Sequence, residues 1–207
     1  MATSAIVTNR SLDNTYIEDF SADYASDALR LFIANFQQLQ DSQVLDIGPV
    51  CGDNINFLAQ QVKRIYVCDM FTRLDRDKRK GLQSGRVWRH LDYPAETFDG
   101  ILLWDLCDRL DDREVGRLVD LCHTMIKQGG ILMLSALGEQ VKDVTQPVIN
   151  CFVIKDDFRL YLRPQPHLHL PLYGRQNRDV LSMLAPFSPV KSFTCRNGVR
   201  EFLFRRD

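Results

Sequence analysis

The chain has 207 residues, of which 45% are hydrophobic and 26% are charged. These values are typical of a single globular domain and exclude a largely disordered chain. The 26 basic and 27 acidic residues nearly cancel, so the sequence gives no general attraction to nucleic acid or to an anionic membrane surface.

Targeting and redox signals are weak. No apolar run approaches the roughly 20 residues that span a bilayer, and residues 1–10 lack the apolar segment of a signal peptide. The six cysteines are scattered without a Cys-x-x-Cys pair, which favours free thiols in a reducing compartment over disulfides or zinc ligands. We therefore expect a cytoplasmic protein without a membrane partner or a bound metal.

Residues 1–20 are predicted to form an arm, followed by a helix that begins at Ser21 or Asp23. The arm and this helix, residues 1–40, are expected to pack on a main domain formed by residues 41–207. The apolar residues of the helix are spaced for one buried face: Ala28, Leu29, Phe32, Ile33, Phe36 and Leu39.

A glycine turn organises the main domain. Residues 44–47 form a short apolar run that predicts a buried strand, and Gly48 and Gly52 bracket a tight turn. The apolar spacing of residues 54–62 then predicts a helix. A strand, a glycine turn and a helix in this order present backbone N–H groups and a helix N-terminus to a ligand.

An acid follows the next predicted strand, residues 65–68. Asp69 stands 23 positions after Asp46 (69 − 46). An acid at this place in a doubly wound sheet can accept hydrogen bonds from both hydroxyls of a ribose. The simpler alternative is that Asp69 caps the segment that follows it.

Two further strands are predicted in the middle of the chain. Residues 87–91 predict a weaker third strand, which Asp92 and Tyr93 follow. Residues 101–104 have the continuous apolar character of a central parallel strand, and acidic residues follow this strand as well.

The alternation continues after residue 110. A capping signature at residues 111–114 predicts the start of a helix, and the glycines at 129 and 130 separate this helix from a buried strand at 131–134. Alternating strands and helices predict right-handed crossovers and a parallel sheet.

The last third of the chain is less regular. Residues 138–174 are too many for a plain connection, so we expect a cap or binding insertion there, with strand-like alternation at 151–154 and 158–162. Asn177 is predicted to cap a helix that Pro186 ends. The Asn-Gly pair at 197–198, between two alternating runs, predicts an antiparallel hairpin.

From residue 43 onward, these motifs resemble in order those of the class I (Rossmann-like) S-adenosylmethionine-dependent methyltransferases. The family's first motif is an acid, a small apolar residue and Gly-x-Gly-x-Gly; here it spans residues 46–52, with Val50 at the middle glycine. The family's ribose acid matches Asp69, and its acid beside the adenine matches Asp92. Its acidic position near the transferred methyl group, after the fourth strand, matches Asp105.

The resemblance implies an α/β fold with a doubly wound, mostly parallel seven-stranded sheet and a C-terminal antiparallel hairpin. It implies S-adenosylmethionine as cofactor, with S-adenosylhomocysteine as product, and methyl transfer by direct in-line displacement. The residues it assigns to cofactor binding are Asp46, Gly48, Gly52, Asp69, Met70, Asp92, Tyr93 and Trp104. For Tyr93 and Trp104, packing in the core is the open alternative.

A general base is required only if the acceptor must lose a proton early. Asp105 and Asp108, at the exit of the fourth strand, are the candidate catalytic residues, and His167 and His169 are weaker ones. The acceptor itself is not identified by the sequence, although a small molecule is favoured over a macromolecule. The basic residues near the C-terminus lack interleaved aromatic residues and make a poor case for nucleic-acid binding.

Val50 departs from the family motif. A β-branched residue at positive φ is an outlier, so either the loop follows another path, assisted by Pro49, or the cofactor site is impaired. The second case motivates an alternative function, a catalytically inactive methyltransferase-like scaffold or regulatory protein. A nicotinamide-dependent oxidoreductase ranks last, because Val50 and Asp53 stand at two of the glycines it needs.

Overall fold

The computed structural model of the protein describes residues 23–82, 84–137 and 148–207. Strands and helices alternate around one central sheet with the strand order β3-β2-β4-β5-β9-β8, which is an α/β fold. These strands are β2 (Gln43–Ile47), β3 (Arg64–Cys68), β4 (Phe98–Leu103), β5 (Ile126–Ala136), β8 (Ser188–Thr194) and β9 (Arg200–Arg205). Strands β2 to β5 pair in parallel, and β9 and β8 add antiparallel, which confirms the predicted C-terminal hairpin.

The predicted third strand at residues 87–91 is wrong. These residues belong to a 3-10 helix, Ser84–Leu91, so the described part of the central sheet has six strands where seven were predicted. Val87, Trp88 and Leu91 are all buried. Burial at i, i+1 and i+4 marks one face of a helix and is incompatible with the alternation of a strand.

A second, antiparallel sheet has the strand order β1-β7-β6, formed by β1 (Tyr24–Ala25), β6 (Asn150–Lys155) and β7 (Arg159–Pro164). We call it the small sheet. Strands β6 and β7 correspond to the two alternating runs in the predicted insertion, whose residues 138–147 lie outside the described part of the chain.

The helices are α1 (Asp27–Ala34), α2 (Gly52–Gln61), α3 (Met70–Arg79), α4 (Asp112–Met125) and α5 (Asn177–Met183). The first helix starts later than predicted: Ser26 is its N-cap, and Asp23 precedes β1, while Ser21 lies outside the described residues. The Ser26 hydroxyl accepts a hydrogen bond from the Leu29 N–H at 3.0 Å, which satisfies one of the free donors of the first turn. In contrast, α5 is capped by Gln176, one residue before the predicted cap Asn177.

Apolar residues cover both faces of the central sheet. Helix α1 and the small sheet pack on one face, and α3, α4 and α5 pack on the other. Helix α1 lies so close to β4 that a Cβ on Gly100 would be 2.7 Å from the Phe32 ring. Among the described residues, no helix has the length and apolar character needed to cross a membrane.

Candidate functional site

The carboxyl ends of the central parallel strands meet at one edge. Ile47, the last residue of β2, pairs with Cys68 of β3 on one side and with Leu103 of β4 on the other. Gly48, Asp69 and Trp104, which directly follow these three strands, therefore lie side by side. The sequence assigned all three to cofactor binding, and the fold brings them together.

Trp104 lies against the first glycine of the loop. Its indole Nε1 donates a hydrogen bond of 2.6 Å to the buried Asp46 carboxylate, and its ring stacks on Phe152 with the ring centres 5.4 Å apart. A Cβ added to Gly48 would be 2.3 Å from Trp104 Cδ1. Glycine is required at position 48 because the indole occupies the space that a side chain would need.

Burial governs the ionisation of Asp46. The carboxylate is removed from water, which raises its pKa to about 6, while the hydrogen bond from Trp104 acts in the opposite direction. The hydrogen bond from Trp104 therefore offsets part of the cost of a negative charge on the buried Asp46 side chain.

Val50 does not strain the loop. It is absent from the described residues with positive φ, and its side chain is 57% exposed. Pro49 and Cys51, on either side, are buried. The loop therefore follows a path that does not need a glycine at position 50, which is the first of the two possibilities that the sequence left open.

The small sheet is attached to the start of α2. The Asn54 side chain donates to the Phe152 carbonyl at 2.8 Å and accepts from the Ile154 N–H at 2.7 Å. Next to this clamp, the Arg163 guanidinium donates to Cys51 Sγ at 3.3 Å, and the Cys151 thiol points to the Pro49 carbonyl. The sequence did not identify Asn54 as important, although its place two residues after Gly52 was a usable signal.

Asp69 caps α3 from the end of β3. Its two carboxylate oxygens accept hydrogen bonds from the Thr72 N–H at 2.9 Å and from the Thr72 hydroxyl at 2.8 Å. The side chain is partly exposed, so its remaining lone pairs face solvent. Met70, the next residue, is fully buried in the core under α3.

Asp92 and Tyr93 are placed differently. Asp92 is exposed after the 3-10 helix and does not end a strand. The Tyr93 ring packs edge-to-face on Tyr66 and Phe98, with ring centres 5.9 and 5.1 Å apart. Phe98 begins β4, about 16 Å from its carboxyl end at ~3.3 Å per residue. The Tyr93 ring thus packs beside β3 and the start of β4, as the packing alternative for this residue expects.

Two buried acids follow β4, in a 3-10 helix, Asp105–Arg109. Asp105 Oδ2 accepts from the Arg109 guanidinium at 3.0 and 3.1 Å, and both side chains are fully buried. Asp108 Oδ2 accepts from the Leu137 N–H at 2.9 Å. The Oδ1 atoms of both acids are buried without a hydrogen-bond partner.

The environments of the two acids differ in charge compensation. Burial raises the pKa of Asp105, and the Arg109 cation opposes this shift. Burial and then the charge of Asp105 raise the pKa of Asp108 to about 6, against the Leu137 N–H and the guanidinium groups of Arg200 and Arg175. Asp108 therefore carries a raised pKa without a directly bonded cation among the described residues, whereas Asp105 is paired with Arg109.

Two arginines that the sequence did not single out surround this region. Arg175 donates to the carbonyls of Cys107 and Leu110, and Arg200 donates to the carbonyls of Leu137 and Arg175. They fasten the ends of β4 and β5 to the segment that precedes α5. No local sequence pattern predicts these roles, because each arginine binds backbone atoms remote in sequence.

Several features fit a nucleoside cofactor with an amino-acid part. No side chain caps the first turn of α2, which leaves N–H donors at the end of the glycine loop for an anionic group. Asp69 offers a partly exposed carboxylate at the adjacent strand end. The buried Trp104 indole closes the space beside Gly48 on the β4 side of the loop.

Comparisons with known proteins agree with this arrangement. The methyltransferase-domain family matches residues 16–178, about four fifths of the chain. No curated protein matches the sequence at a significant level. Many solved structures are similar in fold to this chain.

An N-methyltransferase, NodS, from Bradyrhizobium japonicum WM9 is 19% identical, with 86% of this chain and 92% of that chain covered and a TM-score of 0.54. An S-adenosylmethionine-dependent methyltransferase from Clostridium acetobutylicum ATCC 824 is 12% identical, with 91% of each chain covered and a TM-score of 0.58. The Burkholderia thailandensis 1,6-didemethyltoxoflavin-N1-methyltransferase, with bound 1,6-didemethyltoxoflavin and S-adenosylhomocysteine, is 17% identical, with 93% and 81% covered and a TM-score of 0.51.

At these identities the structures establish a shared fold, and the family match establishes the relationship. Together they confirm the predicted fold class, the predicted resemblance and S-adenosylmethionine as the cofactor. The chain belongs to the methyltransferase-domain family and has the fold of the class I S-adenosylmethionine-dependent methyltransferases.

Proposed function

We propose that the protein transfers the methyl group of S-adenosylmethionine to a small-molecule acceptor, by direct in-line displacement at the carboxyl edge of the central sheet. The observation that carries this proposal is the juxtaposition of the glycine loop after β2 with Asp69 after β3, in a chain of the methyltransferase family. The bound cofactor supplies an activated methyl group. The Burkholderia thailandensis methyltransferase, which has a similar fold, binds the small molecule 1,6-didemethyltoxoflavin, and this favours a small acceptor here.

Asp69 and the start of α2 hold the two ends of the cofactor in this proposal. Asp69 accepts hydrogen bonds from the ribose hydroxyls while it caps α3, since a carboxylate has four lone-pair sites and Thr72 uses two. The uncapped N–H groups around Gly52 bind the carboxylate of the methionine part, with support from the helix dipole. Asp92 contacts the adenine by the family resemblance alone.

Trp104 and the small sheet exclude water from the exit of β4. The indole is buried between Gly48 and Phe152, and Asn54 fixes β6 over the start of α2. A dry site strengthens the electrostatic interactions that orient the reactants. The contribution of these residues is therefore to position the reactants and to exclude solvent.

Asp108 is the preferred proton acceptor. It lies at the exit of β4 with an unpartnered Oδ1, and its pKa of about 6 leaves it mostly ionised at neutral pH. Asp105 is less suitable because Arg109 compensates its charge and both are fully buried. An acceptor with an acidic proton or a protonated amine would use Asp108, whereas an acceptor that is already nucleophilic would not need it.

The alternative function, an inactive scaffold, is not favoured. It was motivated by Val50, and the loop accommodates this residue with an exposed side chain and without a positive φ. Val50 therefore gives no physical reason to expect an impaired cofactor site.

Cofactor binding by an Asp69→Asn variant tests the proposal. Asparagine keeps the capping oxygen of α3 but removes the charge, so we expect S-adenosylhomocysteine to bind at least tenfold more weakly by calorimetry. Asp111→Asn is the matched control, because Asp111 caps α4 in the same way, and its affinity is expected to equal that of the wild type.

Thermal unfolding extends this test to the cofactor class. At about 100 times the dissociation constant, a ligand adds roughly 2.7 kcal/mol, which corresponds to about 5–10 °C for a chain of this size. We expect this shift with S-adenosylmethionine and S-adenosylhomocysteine and none with NAD. If neither sulfur nucleoside raised the melting temperature, the proposed function would be rejected in favour of the scaffold.

A further inference from the structure

A cavity of about 430 Å³ lies away from the glycine loop, between the start of α1 and the β8–β9 hairpin. Residues 23–25 and Asp27 line one side of it, and residues 193–197 and Glu201 line the other. Its volume falls within the range of small-molecule sites, about 300–1,000 Å³. The rings of Tyr24 and Phe193 give it an aromatic lining.

Glu201 is a fully buried carboxylate at this cavity. The Tyr24 hydroxyl donates to its Oε1 at 3.1 Å, and the Ser26 hydroxyl donates to its Oε2 at 2.9 Å. The backbone of Ala28, in the first turn of α1, is a further neutral group that favours the ionised form of Glu201 and so lowers its pKa. All three partners are uncharged, and Glu201 forms no ion pair with any residue in the described ranges.

The charged groups around Glu201 do not compensate it. The charge of Asp27, at the start of α1, disfavours the ionised form of Glu201 and raises its pKa. The charge of Glu201 in turn raises the pKa of the Cys195 thiol in the hairpin. Asp23 on the same wall binds Lys155 Nζ at 3.1 Å. Arg196 is the one basic side chain among the cavity-lining residues, against the carboxylates of Asp23, Asp27 and Glu201.

An ionised carboxylate that is buried without a cation is costly. Burial accordingly raises the pKa of Glu201 to about 7, even though the hydroxyls of Ser26 and Tyr24 and the Ala28 backbone oppose this shift. A cation in the cavity would supply the missing opposite charge. The side chain of Asn197, whose Nδ2 is buried without a partner, offers one donor to the rest of the ligand.

We propose that this cavity binds the ammonium group of a small organic ligand, with Glu201 as its counter-ion and the rings of Tyr24 and Phe193 against its apolar part. The proposal goes beyond methyl transfer and does not depend on it, because it rests on the charge and lining of a cavity that no residue of the glycine loop lines. Glu201, in β9, pairs with Ser135 near the carboxyl end of β5.

The test compares a cationic probe with a neutral probe of the same shape, benzylamine and benzyl alcohol, on the full chain at pH 8. We expect the wild type to bind benzylamine at least tenfold more tightly than benzyl alcohol, by calorimetry or by NMR titration. In Glu201→Gln this preference is expected to vanish. Asp120→Asn is the matched control, since it removes an exposed acid on α4 and is expected to retain the full preference.

Two further measurements separate a ligand site from a purely structural role of Glu201 as a partner of the α1 backbone. From pH 6 to pH 8, benzylamine is expected to bind the wild type more tightly as Glu201 ionises, and Glu201→Gln is expected to lack this dependence. Tyr24→Phe, which keeps Glu201 and the ring, is expected to retain the preference. Equal binding of the two probes by the wild type, or an undiminished preference in Glu201→Gln, would overturn the proposal.

Discussion

Two buried carboxylates at the carboxyl edge of the sheet are compensated in different ways. Asp105, after β4, is held by the Arg109 guanidinium, and both side chains are fully buried. Glu201, in β9, accepts only neutral hydrogen bonds and borders a cavity. The positive charge that neutralises Asp105 is therefore supplied by Arg109. Among the described residues Glu201 has no such partner, so it can be neutralised only by a proton or by a cationic ligand in the cavity.

The packing around the two acids also differs: it is close around Asp105 and leaves a cavity beside Glu201. Near Asp105, the Trp104 indole fills the space over Gly48 and stacks on Phe152. Near Glu201, a cavity of about 430 Å³ remains. We infer that the first region is built for a fixed geometry and that the second is built to receive a group. Substitutions in the first region should reduce stability, and substitutions in the second should change binding and pH dependence.

The largest effect is expected for Arg109→Met, which removes the cation from the Asp105 pair. An uncompensated buried charge typically costs about 3–5 kcal/mol, and urea unfolding at pH 7 measures it. The loss should shrink towards acidic pH, because Asp105 can then be protonated. Arg178→Met is the matched control at an exposed arginine, and its stability should differ little from that of the wild type. If the two variants were equally stable, the claim that Arg109 compensates the buried charge of Asp105 would be rejected.

An intermediate effect is expected for Gly48→Ala. The new methyl group would lie 2.3 Å from Trp104 Cδ1, and the hydrogen bond to Asp46 and the stack on Phe152 prevent the indole from moving freely. Overpacking of this kind costs about 1–3 kcal/mol, measured by the same urea titration. Gly52→Ala is the internal control, because no atom lies within 4 Å of its added Cβ. A destabilised Gly52→Ala with an unaffected Gly48→Ala would contradict the assignment.

Much of the fold follows from local patterns. The apolar runs of β2, β4 and β5 are buried on both faces, whereas β3 is only partly buried at the edge of the sheet. All four strands follow one another along the chain as predicted. The prediction failed at Ser84–Leu91, where an apolar run of the length of a strand buries one helical face instead. Periodicity cannot separate these outcomes over five residues.

The candidate site was only partly predictable. Parallel strands bring the residues after their carboxyl ends together, so Gly48, Asp69 and Trp104 could be placed at one edge from the sequence alone. The partner of Trp104 lies 58 positions away, and the partner of Tyr24 lies 177 positions away. The first contact depends on the register of β2 against β4, and the second depends on the packing of β1 beside the finished sheet. No local pattern encodes either of them.

The smallest change in stability is expected for Glu201→Gln, and it depends on pH. The pKa of Glu201 in the folded protein is about 7, above the 4.5 of an unperturbed glutamate. A raised pKa means that protonation favours the folded state, so this stabilisation is complete below pH 4.5 and is lost as the pH rises through 7. The wild type should lose about 1–2 kcal/mol between pH 5.5 and 7 from this group.

Glutamine cannot ionise, so Glu201→Gln should lack this component, and urea unfolding from pH 5 to pH 8 measures the difference. As the pH rises, the free energy of unfolding of Glu201→Gln should increase relative to that of the wild type. The free energy of unfolding of Asp120→Asn should change with pH as that of the wild type does. A parallel pH course for wild type and Glu201→Gln would mean that Glu201 is already compensated. The cavity would then need no cation, and the contrast with the Asp105–Arg109 pair would disappear.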